Sequence, residues 1–180
     1  MSGDHVFISY ITEDSDVIDE LQAALEAAEF IVWRDKDNLW PGDDWQREIQ
    51  NAIRGGSFVF LACFSSNLAK REKSYQFEEL ILAAEEYRRR PPGASWLMTA
   101  RLDECEVPEI DLGMGRTLGS SIHRADLFGL QKYAQISRLV LWQSSGPWEV
   151  LRPRRPRQSH GPLRRRDVPR MTSRSACAVY

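Results

Sequence analysis

Tyr75 and Glu79 stand four residues apart in Ser74-Tyr75-Gln76-Phe77-Glu78-Glu79-Leu80, downstream of an apolar run that ends in Cys63-Phe64-Ser65-Ser66. On a helix that spacing sets the ring and the carboxylate on one side. Phe77, Leu80, Ile81 and Ala84 mark a neighbouring apolar stripe expected to face a core. A carboxylate beside an aromatic ring, at the carboxyl end of a buried strand, can hold a planar ligand and stabilise a developing positive charge. An exposed acidic helix would read the same way locally, so the surrounding elements must decide.

Other chemistry is thinly represented. No glycine-rich phosphate loop of the Walker or dinucleotide type precedes a helix. His5, His123 and His160 are isolated and lack metal-ligand spacing. Ser65 or Ser66 would need a neighbouring base to act as a nucleophile, and the sequence nominates none. Asp103, Glu104 and Glu106 read as an acidic surface loop. The loop from Arg34 to Asp43, tipped by Pro41-Gly42, is dense in charge and carries Trp40, a side chain costly to leave in water and therefore a hint of a partner surface.

The elements that would position these groups alternate along the chain. Val6-Phe7-Ile8, Phe30–Trp33, Phe58–Phe64 and Trp96-Leu97-Met98 read as strands, with a weaker fifth between Ser121 and Leu127. Helical spacing appears over Asp14–Glu29, at Trp45, Ile49, Ala52 and Ile53, over Ser74–Arg89, and at Tyr133, Ile136, Leu139 and Val140. Asp43 or Asp44 would cap the second helix and Gly55-Gly56 would stop it. The segment from Asp103 to Gly115 reads as one long loop. The run Phe58–Phe64 is apolar without alternation, as a strand covered by helices on both faces should be. Strand–helix alternation with short connections predicts a doubly wound parallel α/β sheet, whose ligands bind outside the carboxyl ends of the strands.

The chain has 180 residues, with 42% hydrophobic and 28% charged residues and a net charge of -2. That balance hides a split. Residues 1–149 carry 15 Lys and Arg against 25 Asp and Glu, whereas residues 150–180 carry nine Arg against Asp167 alone. The reading is a folded acidic domain over residues 1–145 and an Arg/Pro-rich basic tail over 146–180, expected to be disordered. With no aromatics interleaved for base stacking, the tail is not expected to define a nucleic-acid partner. Three unspaced cysteines, Cys63, Cys105 and Cys177, make neither a disulfide framework nor a zinc site and suit a reducing compartment. With no signal-peptide pattern and no run of transmembrane length, the expectation is a cytoplasmic protein without membrane attachment.

The residues then meet a family. Val6-Phe7-Ile8-Ser9-Tyr10 with Glu13-Asp14 resembles the first strand and loop of a TIR (Toll/interleukin-1 receptor) domain. Asp35 to Trp45, followed by Ile49 and Ala52-Ile53, resembles that family's BB loop and next helix. Phe64-Ser65-Ser66 resembles its third-strand ending, and Tyr75 to Leu80 its aromatic-x-x-x-Glu-aliphatic element, with Tyr where many members have Trp. Arg124 to Gly129 resembles the final strand of bacterial members. The resemblance spans about residues 4–142. It implies a three-layer flavodoxin-like fold, a five-stranded parallel sheet flanked by helices, and for the NAD⁺-cleaving type an NAD⁺ nucleosidase. Its catalytic residue would be Glu79, with Tyr10, Ile11, Asp37, Ser65 and Tyr75 lining the substrate site. Glu78 lies about 100° further round the helix and fails the spacing. The resemblance further implies self-association with other TIR domains through Trp40, Pro41 and Gly42, and a place in immune or antiphage signalling. No metal or cofactor is expected, because NAD⁺ would be consumed as substrate. A non-enzymatic TIR–TIR scaffold is the alternative reading.

Overall fold

A computed structural model describes residues 5–34, 45–71, 74–91 and 94–145 of the chain. Asp35–Asp44 and the 146–180 segment lie outside the described residues, and with them the expected helix cap at Asp43 or Asp44.

Five strands form one parallel sheet in the order β2-β1-β3-β4-β7. They are β1 (His5–Ser9), β2 (Ile31–Trp33), β3 (Ser57–Phe64), β4 (Leu97–Arg101) and β7 (Arg124–Asp126). Between them run α1 (Ser15–Ala27), α2 (Trp45–Asn51, continued by a π turn over Ala52–Gly56), α3 (Tyr75–Arg89) and α4 (Leu118–Ser121), and α5 (Lys132–Ser145) closes the fold. This is the doubly wound parallel α/β sheet that the strand–helix alternation predicts, in the flavodoxin-like form that the resemblance implies.

Strand alternation divides the core into two layers. Phe7, Phe60, Ala62 and Phe64 face the side of α2 and α3, whereas Val6, Ile8, Val59, Leu61 and Cys63 face the side of α1 and α5. On the first side an aromatic row crosses the sheet. Trp33 stacks on Phe7 at 4.7 Å, Phe7 on Phe60 at 5.1 Å, and Phe60 meets Trp96 at 5.7 Å. Trp96 Nε1 donates to the Ser57 carbonyl at 3.1 Å, so its one polar atom is satisfied inside the core.

Two expectations need correction. Asp103 to Gly115 is not one long loop. It contains a small antiparallel hairpin, β5 (Asp111–Gly113) and β6 (Arg116–Thr117). Its turn takes positive φ at Gly113, Met114 and Gly115 (83°, 57° and 72°), which the two flanking glycines make accessible. Strands of three and two residues are too short to show a period in the sequence. Arg88 on α3 donates to both the carbonyl and the carboxylate of Asp111, tying the hairpin down, and Leu112 and Leu118 enter the core.

The buried face of α3 also differs from the expected stripe. It consists of Gln76, Glu79, Leu80, Ala83 and Ala84, whereas Ile81 is exposed. The i, i+3, i+4, i+7, i+8 spacing is that of an amphipathic helix, but its first turn buries two polar side chains because it lies over the strand ends rather than over the sheet's apolar middle.

Edge strand β7 is held to β4 by a fork of charge-assisted bonds. Arg101 Nε and Nη2 donate to the two Asp126 oxygens at 2.7 and 2.8 Å, and Arg101 Nη1 donates to the Cys105 carbonyl at 3.0 Å. The hydrogen bond from Arg101 holds the Asp126 carboxyl below the usual carboxylate range, with burial opposing it. A folded-state value below the unfolded one means the pair stabilises the fold above about pH 4 and ceases to do so as pH falls through the depressed value. An NMR titration should find Asp126 below ordinary aspartates in the wild-type chain and back near about 4 in Arg101→Met. In the aromatic row, Phe60→Ala should cost about 3–5 kcal/mol in denaturant unfolding. Truncating the fully exposed Leu130 should stay within about 0.5 kcal/mol.

Candidate functional site

In a sheet ordered 2-1-3-4, the chain leaves β1 toward one edge and β3 toward the other, so a crevice opens between their carboxyl ends. Three segments meet there. Ser9, Tyr10 and Ile11 follow β1, Ser65 and Ser66 follow β3, and the first turn of α3 lies across both.

The helix starts there for a local reason. Ser74 is extended (φ -145°, ψ 139°), and its Oγ accepts from the Gln76 amide at 3.2 Å, an N-cap at the head of the helix. The Gln76 side-chain amide then spans the crevice. Its Nε2 donates to the Ser9 carbonyl at 3.1 Å and to the Cys63 carbonyl at 2.7 Å, joining the ends of β1 and β3. One turn on, Glu79 reaches the same place, only 5% exposed, and its Oε2 accepts from Ser9 Oγ at 2.5 Å. A short O–H···O⁻ bond of this kind fixes the orientation of the carboxylate.

The other candidates are distributed unevenly around this carboxylate. Ser65 is buried at the end of β3, and its Oγ accepts from the Asn67 amide at 3.2 Å. Ile11 is buried in the apolar core on the α2–α3 side. Tyr10 is buried, its hydroxyl accepts from Arg34 Nη2 at 2.8 Å and Nε at 3.2 Å, and the guanidinium sits 4.9 Å from its ring centroid. Tyr75 is 64% exposed. The four-residue spacing from Glu79 holds, but Tyr75 is exposed where Glu79 is buried, so ring and carboxylate do not share a buried side. Asp37, Trp40, Pro41 and Gly42 lie outside the described residues. Glu78, the neighbouring acid, is exposed.

Sequence reasoning passed over four residues of this edge. Ser9 and Gln76, which hold Glu79 and the strand ends, look like ordinary strand-end and helix-face polar residues in one dimension. Gln76 had a signal, since it lies four residues before Leu80 and seven before Ala83 on the buried face. Arg34, 2% exposed, donates not only to Tyr10 but also to Asp19 at 2.6 Å and Gln22 at 2.5 Å, anchoring the chain where it leaves β2. Asp14 is buried, accepts from Asn67 Nδ2 at 3.0 Å through Oδ1, and leaves Oδ2 buried without a partner.

Cys63 is fully buried, and burial pushes its thiol well above the ordinary range, with Asp14 adding to the rise. Cys105 is pushed up to about 11 by burial and by nearby Asp103. Neither thiol is a nucleophile at neutral pH. Among the described residues no group of three or more His, Cys, Asp and Glu is placed to hold a metal ion, and no helix is long and apolar enough to cross a membrane. What this edge offers at the switch point of the open sheet is the buried Glu79 carboxylate, oriented by Ser9.

Comparison with known proteins agrees with this architecture. A TIR domain family model matches residues 6–140. The TIR domain of the Toll-related receptor TRR-2 from Hydra magnipapillata superposes with a TM-score of 0.54 at 20% identity, covering 77% of this chain and 95% of that one. A metazoan TIR-STING receptor from C. gigas, solved with 2',3'-cGAMP, superposes with a TM-score of 0.53 at 15% identity, covering 78% of this chain and 41% of that one. No curated protein matches the chain. With three quarters of its length matched by the family model and its sheet order that of a flavodoxin-like α/β fold, the chain belongs to the TIR domain family.

Proposed function

We propose that the chain is a TIR-domain NAD⁺ nucleosidase in which Glu79 stabilises the charge that develops as the nicotinamide–ribose bond breaks. The observation that carries this reading is the Glu79 carboxylate, buried at the β1–β3 switch point and oriented by the Ser9 hydroxyl. As the bond from ribose C1′ to the pyridinium nitrogen breaks, its electron pair leaves with neutral nicotinamide and the ribose becomes oxocarbenium-like. A fixed carboxylate in a water-poor crevice stabilises that cation more than it stabilises the ground state. Water attacking C1′ gives ADP-ribose and a proton, and a group of the same molecule gives a cyclic isomer.

Around that centre Ser9 and Gln76 act as positioning residues, the first on the carboxylate and the second on the crevice walls. Ser65, Tyr10 and Ile11 form the same edge. Tyr75, exposed in the first turn of α3, would pack against the nicotinamide end of a bound dinucleotide. Because the sheet is parallel, the loop that begins after Arg34 starts from this carboxyl edge too. Asp37 would reach the substrate from it, and Trp40, Pro41 and Gly42 would join a second TIR domain. Turnover and self-association are then coupled, in keeping with a role in immune or antiphage signalling inside the cytoplasm.

Purified chain at high concentration should release nicotinamide from NAD⁺. Glu79→Gln, which keeps the shape and removes the charge, should lower kcat on the order of 10²–10³-fold. Wild-type turnover that survives Glu79→Gln overturns the assignment of the residue. A chain that releases no nicotinamide even when assembled is instead a TIR–TIR scaffold whose Glu79–Ser9 bond is purely structural. Substituting Trp40 or the Pro41-Gly42 pair should reduce self-association and turnover together, as read by light scattering beside the NAD⁺ assay. A strictly monomeric variant with full activity would show that the two are independent.

A further inference from the structure

A cavity lies beside the amino-terminal half of β4, away from the carboxyl edge that holds Glu79. Edge strand β7 is short. It pairs only with Thr99, Ala100 and Arg101, which leaves the amino-terminal half of β4 at Leu97 and Met98 without a neighbour on that side. The gap is a cavity of about 360 Å³, walled by Tyr87 of α3, Arg116 of the hairpin, the Ser121–Arg124 segment, and Gln135, Arg138 and Leu139 of α5. That volume is at the lower end of the range for small-molecule pockets, about 300–1,000 Å³. None of the residues assigned to the Glu79 site lines it.

Three features of the cavity point to a ligand and to its charge. Arg116, Arg124 and Arg138 line it, and no carboxylate does. Among the described residues none of the three forms an ion pair, and Asp126, whose carboxyl feels the Arg124 charge, is held by Arg101. The Arg116 guanidinium sits 5.4 Å from the centroid of the Tyr87 ring, so one cation and one aromatic face are already set side by side. The third feature is Thr99. It lines the cavity, is 1% exposed, and its hydroxyl has no hydrogen-bond partner. A buried hydroxyl without a partner costs stability, and a ligand oxygen in this cavity would supply the missing bond. Leu97, Met98, Ile122 and Leu139 provide the apolar remainder.

We infer that this notch is a binding site for a small phosphate monoester with a planar ring, about the size of a mononucleotide. Its phosphate is held by Arg124 and Arg138, its ring lies against Tyr87 and Arg116, and an oxygen is donated to by Thr99. Three guanidiniums without a carboxylate in the lining favour an anion, and the forks of Arg124 and Arg138 suit the oxygens of a phosphate.

Adenosine 5′-monophosphate, adenosine and inorganic phosphate, each titrated into the full chain by calorimetry, test the site. The monophosphate should bind, adenosine should not, and phosphate alone should bind more weakly and compete. The double variant Arg124→Ala/Arg138→Ala should weaken the monophosphate on the order of 10- to 100-fold, whereas Glu79→Gln should leave it unchanged. That second arm separates the notch from the Glu79 site and keeps the two readings independent. Thr99→Val supplies a signature that a structural role would not produce. It should keep or raise the melting temperature of the free chain, by up to about 4 °C, while weakening the monophosphate on the order of 10-fold. Absence of binding at millimolar concentration overturns the inference. So does binding that the arginine variants leave unmoved, or a finding that those variants abolish only self-association, which would make the notch a contact between copies.

Discussion

Two strand-end carbonyls need partners where β1 and β3 part, and one side chain supplies both. The Gln76 amide donates to Ser9 and Cys63 at once, so the first turn of α3 is fixed over the crevice rather than beside it. An amide is suited to this, because its two N–H groups point to two acceptors from a single atom. With α3 held by its N-cap at Ser74 and by this bridge, the residue one turn later has a determined position, and that residue is Glu79. A buried carboxylate is expensive without a partner, and the Ser9 hydroxyl, brought in by the strand whose carbonyl Gln76 already holds, is that partner. The carboxylate's placement thus follows from satisfying backbone polar groups at the switch point of the sheet.

The same logic accounts for what the sequence made legible. Apolar runs located β1, β2, β3 and β4 to within a few residues, and in β1 and β3 burial on two faces is what leaves that one-dimensional trace. Glu79 was visible through its spacing from Tyr75 and its place after a buried strand. The burial of Gln76 was not visible, because a stripe drawn from hydrophobicity alone places Ile81 inside and Gln76 outside. Which polar residue sits on a buried helix face is decided by acceptors on two strands 67 and 13 residues away in the chain. Tyr75 shows the converse limit. Spacing gives the angular relation of two side chains but not where the covering elements end. The β5–β6 hairpin was hidden by its size, its only trace being Gly113 and Gly115 around the positive-φ turn.

The two ends of the molecule carry opposite chemistry on one scaffold. At the carboxyl edge an acid, Glu79, is buried and oriented by the Ser9 hydroxyl. Beside the amino-terminal half of β4, a truncated edge strand leaves a notch lined by arginines and a lone hydroxyl. The first arises where the chain leaves β1 and β3 toward opposite edges, the second where a short edge strand leaves part of β4 unpaired on that side.

The account rests on position rather than on acidity of the helix as a whole, and a comparison of the two adjacent glutamates tests that most directly. NAD⁺ consumption should be measured for the wild-type chain beside Glu78→Ala and Glu79→Ala at matched melting temperature and protein concentration. The account predicts that the exposed Glu78 is dispensable and that turnover disappears with the buried Glu79. Equal loss in both, or loss only with Glu78, would contradict it.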